Sequence, residues 1–178
     1  MAELLRDREA VAHGLSVMAT RMLFENLPSV LEDIIGERQA TIILERMAEE
    51  AAELGFKEFM RMLGIGDLRD MPIDKLLTIF SAPPPGRPKM HPFQVVRKIE
   101  VSDSRIVLEI EDGHRHPSEV GILAGTIAGV LTAAGYSARP LSGPDAVKHL
   151  CSSDNPPRYA VYPVKNGEWR IVIEGVKC

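Results

Sequence analysis

The chain has 178 residues, of which 45% are hydrophobic, 26% charged and 5% aromatic, and its formal net charge is −4. This composition predicts one globular domain over residues 1–178 and excludes a disordered or collagen-like chain. No run of five like charges occurs, so the clustered basic residues of a nucleic-acid-binding surface are absent and nucleic acid is not an expected partner.

Apolar residues at helical spacing predict a helical N-terminal section over residues 1–63. Its first helix covers residues 2–27, where charges interrupt what would be the apolar core of a secretory signal, so no signal peptide is expected. A two-turn helix follows at 28–36, with Pro near its first turn and Gly after its end. A third helix runs from 37 to about 54, with Gly55 as a cap or a kink. Its inward-facing residues are predicted to be Ile42, Ile43, Met47, Ala51 and Leu54.

The centre of the chain changes from helical to extended periodicity. A short helix is predicted at residues 72–81, and the proline run at 82–88 ends it. That run is either a semi-rigid connector or a partner-binding peptide. From Phe93 onwards apolar and polar residues alternate, and two such runs around the turn at 102–104 predict a β-hairpin.

A second hairpin is predicted between residues 159 and 174. Asn166 and Gly167 favour a type I′ turn, because both central residues of that turn need positive φ. Pro163 is expected on an edge strand, since proline donates no hydrogen bond to a neighbouring strand.

A helix that is uncharged apart from Glu119 near its positive end is predicted between the hairpins at residues 117–135, with Ser118 as its N-cap. The order of helices, hairpin, helix and hairpin predicts an α+β fold with one antiparallel sheet covered by helices. The sheet and this glycine-rich helix occupy residues 93–175. The charge-free stretch at 120–138 has about the length of a bilayer span, but its Gly, Ala and Thr content makes insertion marginal, and no membrane span is expected.

Gly121, Gly125 and Gly129 recur every four residues along one ridge of this helix. Each glycine costs about 1 kcal/mol of helix stability relative to alanine, so the ridge needs a reason. One reason is close packing against the sheet or against another helix. The other is room for an apolar ligand between helix and sheet.

His114 and His116 have a spacing that occurs in transition-metal sites, but a solvated turn also accounts for them. No further Cys or His pair lies at a zinc-site spacing, so no metal is expected. If a metal were bound, the predicted fallback ligands are His114, His116, His149 and Cys151.

The two cysteines, Cys151 and Cys178, are too few for a disulfide framework and favour a reducing cytoplasm. Cys151 is predicted to be a buried small apolar residue. The carboxylate pairs Glu32-Asp33 and Glu49-Glu50 lie beside helical apolar stripes, which predicts solvated helix faces.

The chain contains no G-x-G-x-x-G, P-loop, G-x-S-x-G or H-E-x-x-H motif. No cofactor is therefore predicted, and nothing in the sequence requires an enzyme.

The segment at residues 122–131, Ile-Leu-Ala-Gly-Thr-Ile-Ala-Gly-Val-Leu, resembles the glycine-containing helix of the 4-vinyl-reductase-type ligand-binding domain. Residues 27–55 resemble the helical section of that family, 64–66 its glycine turn, and 151–159 its end segment, which often reads cysteine, Gly-Asp-Pro and a second cysteine. Related folds occur in nitric-oxide-binding heme domains and in small TRAPP vesicle-tethering subunits. The resemblance implies a pocket for a hydrophobic small molecule or an acyl chain, frequently in a homodimer.

This chain departs from the family at two cysteine positions. Val120 stands where the family often has a cysteine at the start of the glycine helix, and Tyr159 stands where the second late cysteine is expected. A cysteine-rich metal site is therefore not expected.

Three functions of different class follow. The first is cytoplasmic binding of a hydrophobic small molecule between the glycine-rich helix, the first hairpin and the helices at 56–80. The second is an adaptor or structural subunit that binds a protein partner through apolar helix faces, and a reductase of tetrapyrroles or aromatic compounds is a third. The predicted ligand-binding residues are Gly121, Gly125, Gly129, Ile122, Phe59, Leu63, Ile79, Phe80 and Phe93.

The length of the first helix predicts a homodimer. About 26 residues give a helix of roughly 39 Å, which is longer than a domain of this size needs to cover its sheet. Its apolar residues Leu4, Leu15, Met18 and Met22 fall near one face, and an apolar stripe left in water marks an interface. Two-fold symmetry then places this helix against its copy or against the third helix of the copy.

Overall fold

A computed structural model of the chain describes residues 14, 18–19, 22, 26–62, 64–65, 68, 71–81, 96–111, 116–165 and 170–178. Within these residues five α-helices and one five-stranded sheet form an α+β fold, as predicted. The helices are α1 (Leu27–Ile35), α2 (Glu37–Met62), α3 (Ile73–Ser81), α4 (Glu119–Ala133) and α5 (Val147–Cys151). The strands are β1 (Val96–Val101), β2 (Arg105–Glu111), β3 (Ala138–Pro140), β4 (Tyr159–Lys165) and β5 (Arg170–Lys177).

The N-terminal helices follow the sequence signals with one exception. Helix α1 has Pro28 in its first turn and ends at Gly36, whose φ of 82° is a conformation that glycine adopts without strain. Helix α2 continues through Gly55 without a break, so Gly55 is neither a cap nor a kink. The predicted helix at 2–27 lies largely outside the described residues.

Both predicted hairpins are present in the sheet, whose strand order is β1-β2-β5-β4-β3. All neighbours pair antiparallel except β3, which runs parallel to β4. Strand β4 is not an edge strand, contrary to the expectation from Pro163. However, β3 pairs only with residues Tyr159 to Val161 of β4, so Pro163 lies beyond the end of β3.

Helix α4 lies between the sheet and α2, which accounts for its lack of charged residues after Glu119. Its side chains Leu123, Ile127 and Leu131 belong to the core that β2 and β5 complete. Its opposite side contacts α2. A helix that is covered on both sides is expected to be apolar all round. Among the described residues, no helix combines the length and the apolar character that crossing a bilayer requires.

Candidate functional site

The three glycines of α4 lie against the main chain of α2. A Cβ added at Gly121 would lie 2.5 Å from the carbonyl oxygen of Thr41, and one added at Gly129 would lie 2.9 Å from Cβ of Ala52. Since atoms do not approach this closely in a packed protein, α2 fills the space that the glycines leave. Packing against another helix therefore explains the ridge. The ligand pocket predicted beside Gly121, Gly125 and Gly129 is not formed on this face of α4.

The same contact determines which face of α2 points outward. Its small residues Thr41, Ala48 and Ala52 meet the glycines. The residues predicted to face inward are exposed instead: Ile42, Ile43, Met47, Ala51 and Leu54. That prediction is wrong because it assumed that the most apolar face is the buried one. Close packing onto a glycine ridge selects short side chains for the contact. Leu44, Phe56 and Met60 of α2 are buried as well, whereas Ile42, Ile43, Met47 and Leu54 are left outside.

Two carboxylates lie on the buried side of α2. Glu49 pairs with two arginines: Arg46 Nη1 lies 2.8 Å from its Oε2, and Arg139 Nη1 lies 3.1 Å from its Oε1. Glu45 is only 4% exposed, and among the described residues its Oε2 has no hydrogen-bond partner. Burial raises the pKa of Glu45 to about 7. The negative charge of Glu49 also raises this pKa, and the positive charge of Arg46 lowers it by less than burial raises it. The interpretation of Glu49 as part of a solvated face is therefore wrong, whereas Glu50 is exposed.

A third carboxylate, Glu32 of α1, joins two helices. Its Oε1 accepts hydrogen bonds from the Ser118 N–H at 2.9 Å and from the Ser118 hydroxyl at 2.5 Å. His116 Nδ1 lies 3.4 Å from its Oε2. Burial acts to raise the pKa of Glu32, but the hydrogen bonds from Ser118 and the nearby His116 outweigh burial, so the pKa is lowered. Glu32 is thus held by these contacts rather than being a freely solvated carboxylate.

The cluster of Glu32, His116 and Ser118 acts as a helix cap. Ser118 occupies the N-cap position of α4, as predicted, but it is fully buried and its hydroxyl makes no capping hydrogen bond within the helix. The carboxylate of Glu32 accepts a hydrogen bond from the Ser118 N–H beside the first turn of α4, where the helix dipole favours a negative charge. Because the Ser118 side chain is fully buried, a substrate cannot reach its hydroxyl.

A further polar contact ties three strands together on the other face of the sheet. The Tyr162 hydroxyl donates to Glu174 Oε2 at 3.0 Å, and Arg105 pairs with Glu174 Oε1. Burial raises the pKa of Tyr162, and the hydrogen bond to Glu174 acts in the same direction. This arrangement links β4, β5 and β2 and keeps the tyrosine protonated.

The remaining predicted ligand-binding residues have different surroundings. Ile122 is buried, Ile79 is half-buried against the core, and Phe59 is 44% exposed. Leu63, Phe93 and the side chain of Phe80 lie outside the described residues. Ligand binding through these residues stays a prediction.

The fallback metal ligands are not brought together. Cys151 forms a disulfide with Cys178, so its sulfur is not available as a thiolate. His116 lies beside Glu32, His149 is exposed, and His114 lies outside the described residues. Within the part of the chain that the structure describes, no three His, Cys, Asp or Glu side chains are close enough to hold a metal ion.

The disulfide was not expected from the sequence. The count of two cysteines indicated unpaired thiols in a reducing compartment, and Cys151 was expected to pack as a small apolar residue. The chain places Cys151 at the end of α5 and Cys178 directly after β5, and the fold brings their Cα atoms to 5.0 Å.

The sequence did contain a signal for the buried face of α2. Thr41, Glu45 and Glu49 repeat every four residues, as do Ala48 and Ala52, and this period equals that of the glycines. Matching the two four-residue repeats would have indicated the contact between α2 and α4. The pairing of Glu32 with Ser118 has no such signal, because 86 positions separate the two residues.

Comparison of the chain with protein-family models, with curated proteins and with solved structures finds no match. The resemblance to the 4-vinyl-reductase-type domain therefore stays a prediction. Functional inference rests on the contacts and exposed surfaces described above.

Proposed function

We propose that two copies of this chain associate through the outer side of α2, and that the protein is an assembly module rather than a catalyst. The observation that carries the proposal is a row of exposed apolar residues along this helix. We call it the outer stripe, and it consists of Ile43, Met47, Ala51 and Leu54.

The outer stripe is exposed apolar surface that α2 carries in addition to its buried apolar side chains Leu44, Phe56 and Met60. A helix on the surface of a monomer turns its large apolar side chains to the core. Here Leu54 is 70% exposed, whereas Glu45 and Glu49 are buried on the opposite side. Exposed apolar surface is unfavourable in water, and contiguous patches of it mark interaction sites. A partner that covers the outer stripe would remove this unfavourable exposure.

A second copy of the chain fits the outer stripe. The residues of the outer stripe are spaced by four, four and three positions. This spacing is close to that of the contact positions along two packed helices in a coiled coil. Ala51 and Gly55 are exposed and leave the middle of α2 without a large side chain, so a second helix can approach there. In an antiparallel pair of α2 helices with a two-fold axis near Ala51, each residue lies opposite the residue equally far from Ala51 in the other copy. Ile43 of one copy then lies opposite Phe59 of the other copy, which is exposed.

The charged residues beside the outer stripe do not oppose self-association. Arg46 and Lys57 supply two positive charges, and Glu50 and Glu53 supply two negative charges. Lys57 already pairs with Glu53 at 2.6 Å. Because these four residues carry no net charge, two copies meet without net repulsion.

Binding of a hydrophobic small molecule, which the family resemblance implies, is less well supported. The glycine ridge of α4 is filled by α2, and the side of α4 toward the sheet is filled by Leu123 and Ile127. A cytoplasmic location also stays a prediction.

The oligomeric state in solution tests the proposal. At concentrations of tens of micromolar, light scattering should give twice the chain mass of 19.6 kDa. The double variant Met47→Glu, Leu54→Glu should give the monomer mass. Its circular dichroism spectrum should be unchanged, because both side chains are exposed in the single chain. Charges placed in a buried apolar seam are strongly disfavoured.

The matched control is Val101→Glu, which places the same charge on an exposed apolar position of β1. This variant should remain a dimer. A monomeric mass for the unmodified chain would contradict the proposal, and so would a dimer that survives the double substitution in α2. Mass spectrometry of denatured, freshly purified protein is the separate test for a ligand, and a stoichiometric apolar compound would favour the small-molecule function instead.

A further inference from the structure

The Cys151–Cys178 disulfide connects two parts of the chain that differ in how firmly they are held. Cys178 follows β5, which pairs with both β2 and β4. Cys151 ends α5, a helix of five residues without a buried side chain. The bond therefore attaches a weakly held segment to a strongly held strand.

We propose that this disulfide is a thiol–disulfide exchange site, and that its reduction by a dithiol releases α5 and the exposed residues 152–156 while the sheet stays folded. The inference is independent of the proposed dimer, since it concerns the opposite end of the chain from α2.

The strand side of the bond does not depend on the disulfide. The Lys177 N–H donates to the Ser104 carbonyl at 2.9 Å, and the Cys178 N–H donates to the Arg158 carbonyl at 3.0 Å. The guanidinium of Arg158 lies 5.3 Å from the ring centre of Tyr136. These contacts hold the end of β5 and residue 158 after the sulfur–sulfur bond is broken.

The helix side has weaker anchors. The N–H groups of Ser152 and Ser153 donate to the carbonyls of Lys148 and Leu150, so these hydrogen bonds stay within the segment. Val147 and Leu150 are only half-buried. A helix of five residues is not stable by itself in water. The disulfide is thus the strongest link between α5 and the sheet.

Cys178 is exposed and Cys151 is half-buried, so a reductant can approach the bond from the side of Cys178. A thiolate of the dithiol attacks Sγ of Cys178, forms a mixed disulfide and releases Cys151, which takes up a proton. The second thiol of the dithiol attacks the mixed disulfide and releases Cys178. Two electrons and two protons pass to the protein, and the dithiol leaves as a cyclic disulfide.

Limited proteolysis of the full chain tests the inference. Trypsin cleaves after Lys148, which lies in α5. The oxidised protein is compared with protein that has been reduced with dithiothreitol and blocked with iodoacetamide. Reduction should raise the rate of cleavage after Lys148 by on the order of tenfold, since cleavage requires local opening of the helix. Cleavage after Lys57 in α2 should not change.

Cys178→Ser provides the matched variant. It should show the fast cleavage with or without dithiothreitol, and its urea midpoint should stay close to that of the reduced wild type. Equal cleavage rates in the oxidised and reduced proteins would overturn the inference. It would also fall if air-oxidised protein carries two alkylatable thiols, or if cleavage after Lys57 rises as much as cleavage after Lys148.

Discussion

Gly125 and Glu45 are in main-chain contact, so no side chain fits between α4 and α2 at this point. A Cβ at Gly125 would lie 2.9 Å from the carbonyl carbon of Glu45 and 3.0 Å from Cβ of Ala48, and it would lie closer still to the Glu45 carbonyl oxygen. The position of α2, and with it the exposure of the outer stripe, follows from this contact.

We expect Gly125→Ala to destabilise the protein, although alanine is the better helix former. The methyl group must push α2 away, and overpacking of this kind costs about 1–3 kcal/mol or more. Gly55→Ala is the control, because a Cβ at that helical position meets no atom of its own chain within 4 Å. Both changes are made in the Met47→Glu, Leu54→Glu chain, so that no second helix lies near Gly55. It should raise the free energy of unfolding by about 0.5–1 kcal/mol. Urea denaturation of both variants measures the difference, and equal stabilities would show that the helices are not in contact.

We expect Glu45→Gln to remove part of the pH dependence of stability. The folded pKa of Glu45, about 7, lies above its ordinary value of 4.5, so the native state holds this proton more tightly than the unfolded state. Stability should therefore fall as the pH rises from about 4.5 to about 7, by up to about 3 kcal/mol for this group. The glutamine variant should be more stable than the wild type at pH 8 and similar to it at pH 4.5.

The control for Glu45 is Glu50→Gln, an exposed residue of the same helix. This change should leave the wild-type pH profile intact. If Glu45→Gln keeps the full wild-type slope between pH 5 and pH 8, Glu45 is not the titrating group.

We expect Glu32→Ala to cost about 1–2 kcal/mol at pH 7, the usual effect of losing a helix-capping side chain whose partners stay buried. The folded pKa of Glu32 is lowered, so its contribution is fully present above the unfolded value of 4.5 and is lost as the pH falls through the folded pKa. The difference between variant and wild type should therefore shrink in acid. Asp33→Ala, at the exposed neighbour, should change stability by less than about 0.5 kcal/mol. Thermal denaturation at pH 7 and pH 3 is the measurement, and a deficit that is equal at both would contradict the assignment.

The local elements of the fold could be predicted because their signals are local. Pro28 and Gly36 bound α1, and alternating residues define both hairpins. The orientation of α2 could not be predicted from hydrophobicity, since it depends on the glycines of α4, which lie about 80 positions later in the sequence. Strand β3 was missed because three residues are too few to show a period.

The candidate site was harder to predict than the fold. The glycine ridge predicts a close approach to α4, but the sequence does not indicate whether the sheet, another helix or a ligand makes that approach. The disulfide depends on where β5 ends relative to α5, and two isolated cysteines give no indication of this geometry. Glu32 and Ser118 illustrate the same limit, because only the tertiary fold brings a carboxylate of α1 to the start of α4.

The central position of β5 has a consequence for how the chain is synthesised. Strands β2 and β4 do not pair with each other, and residues Arg170–Lys177 join them. A nascent chain that has not reached residue 170 therefore holds two separate pieces of sheet, each with an open edge of unpaired N–H and carbonyl groups. The complete sheet therefore cannot form until residues 170–177 have left the ribosome, and until then both edges stay open to pairing with other chains.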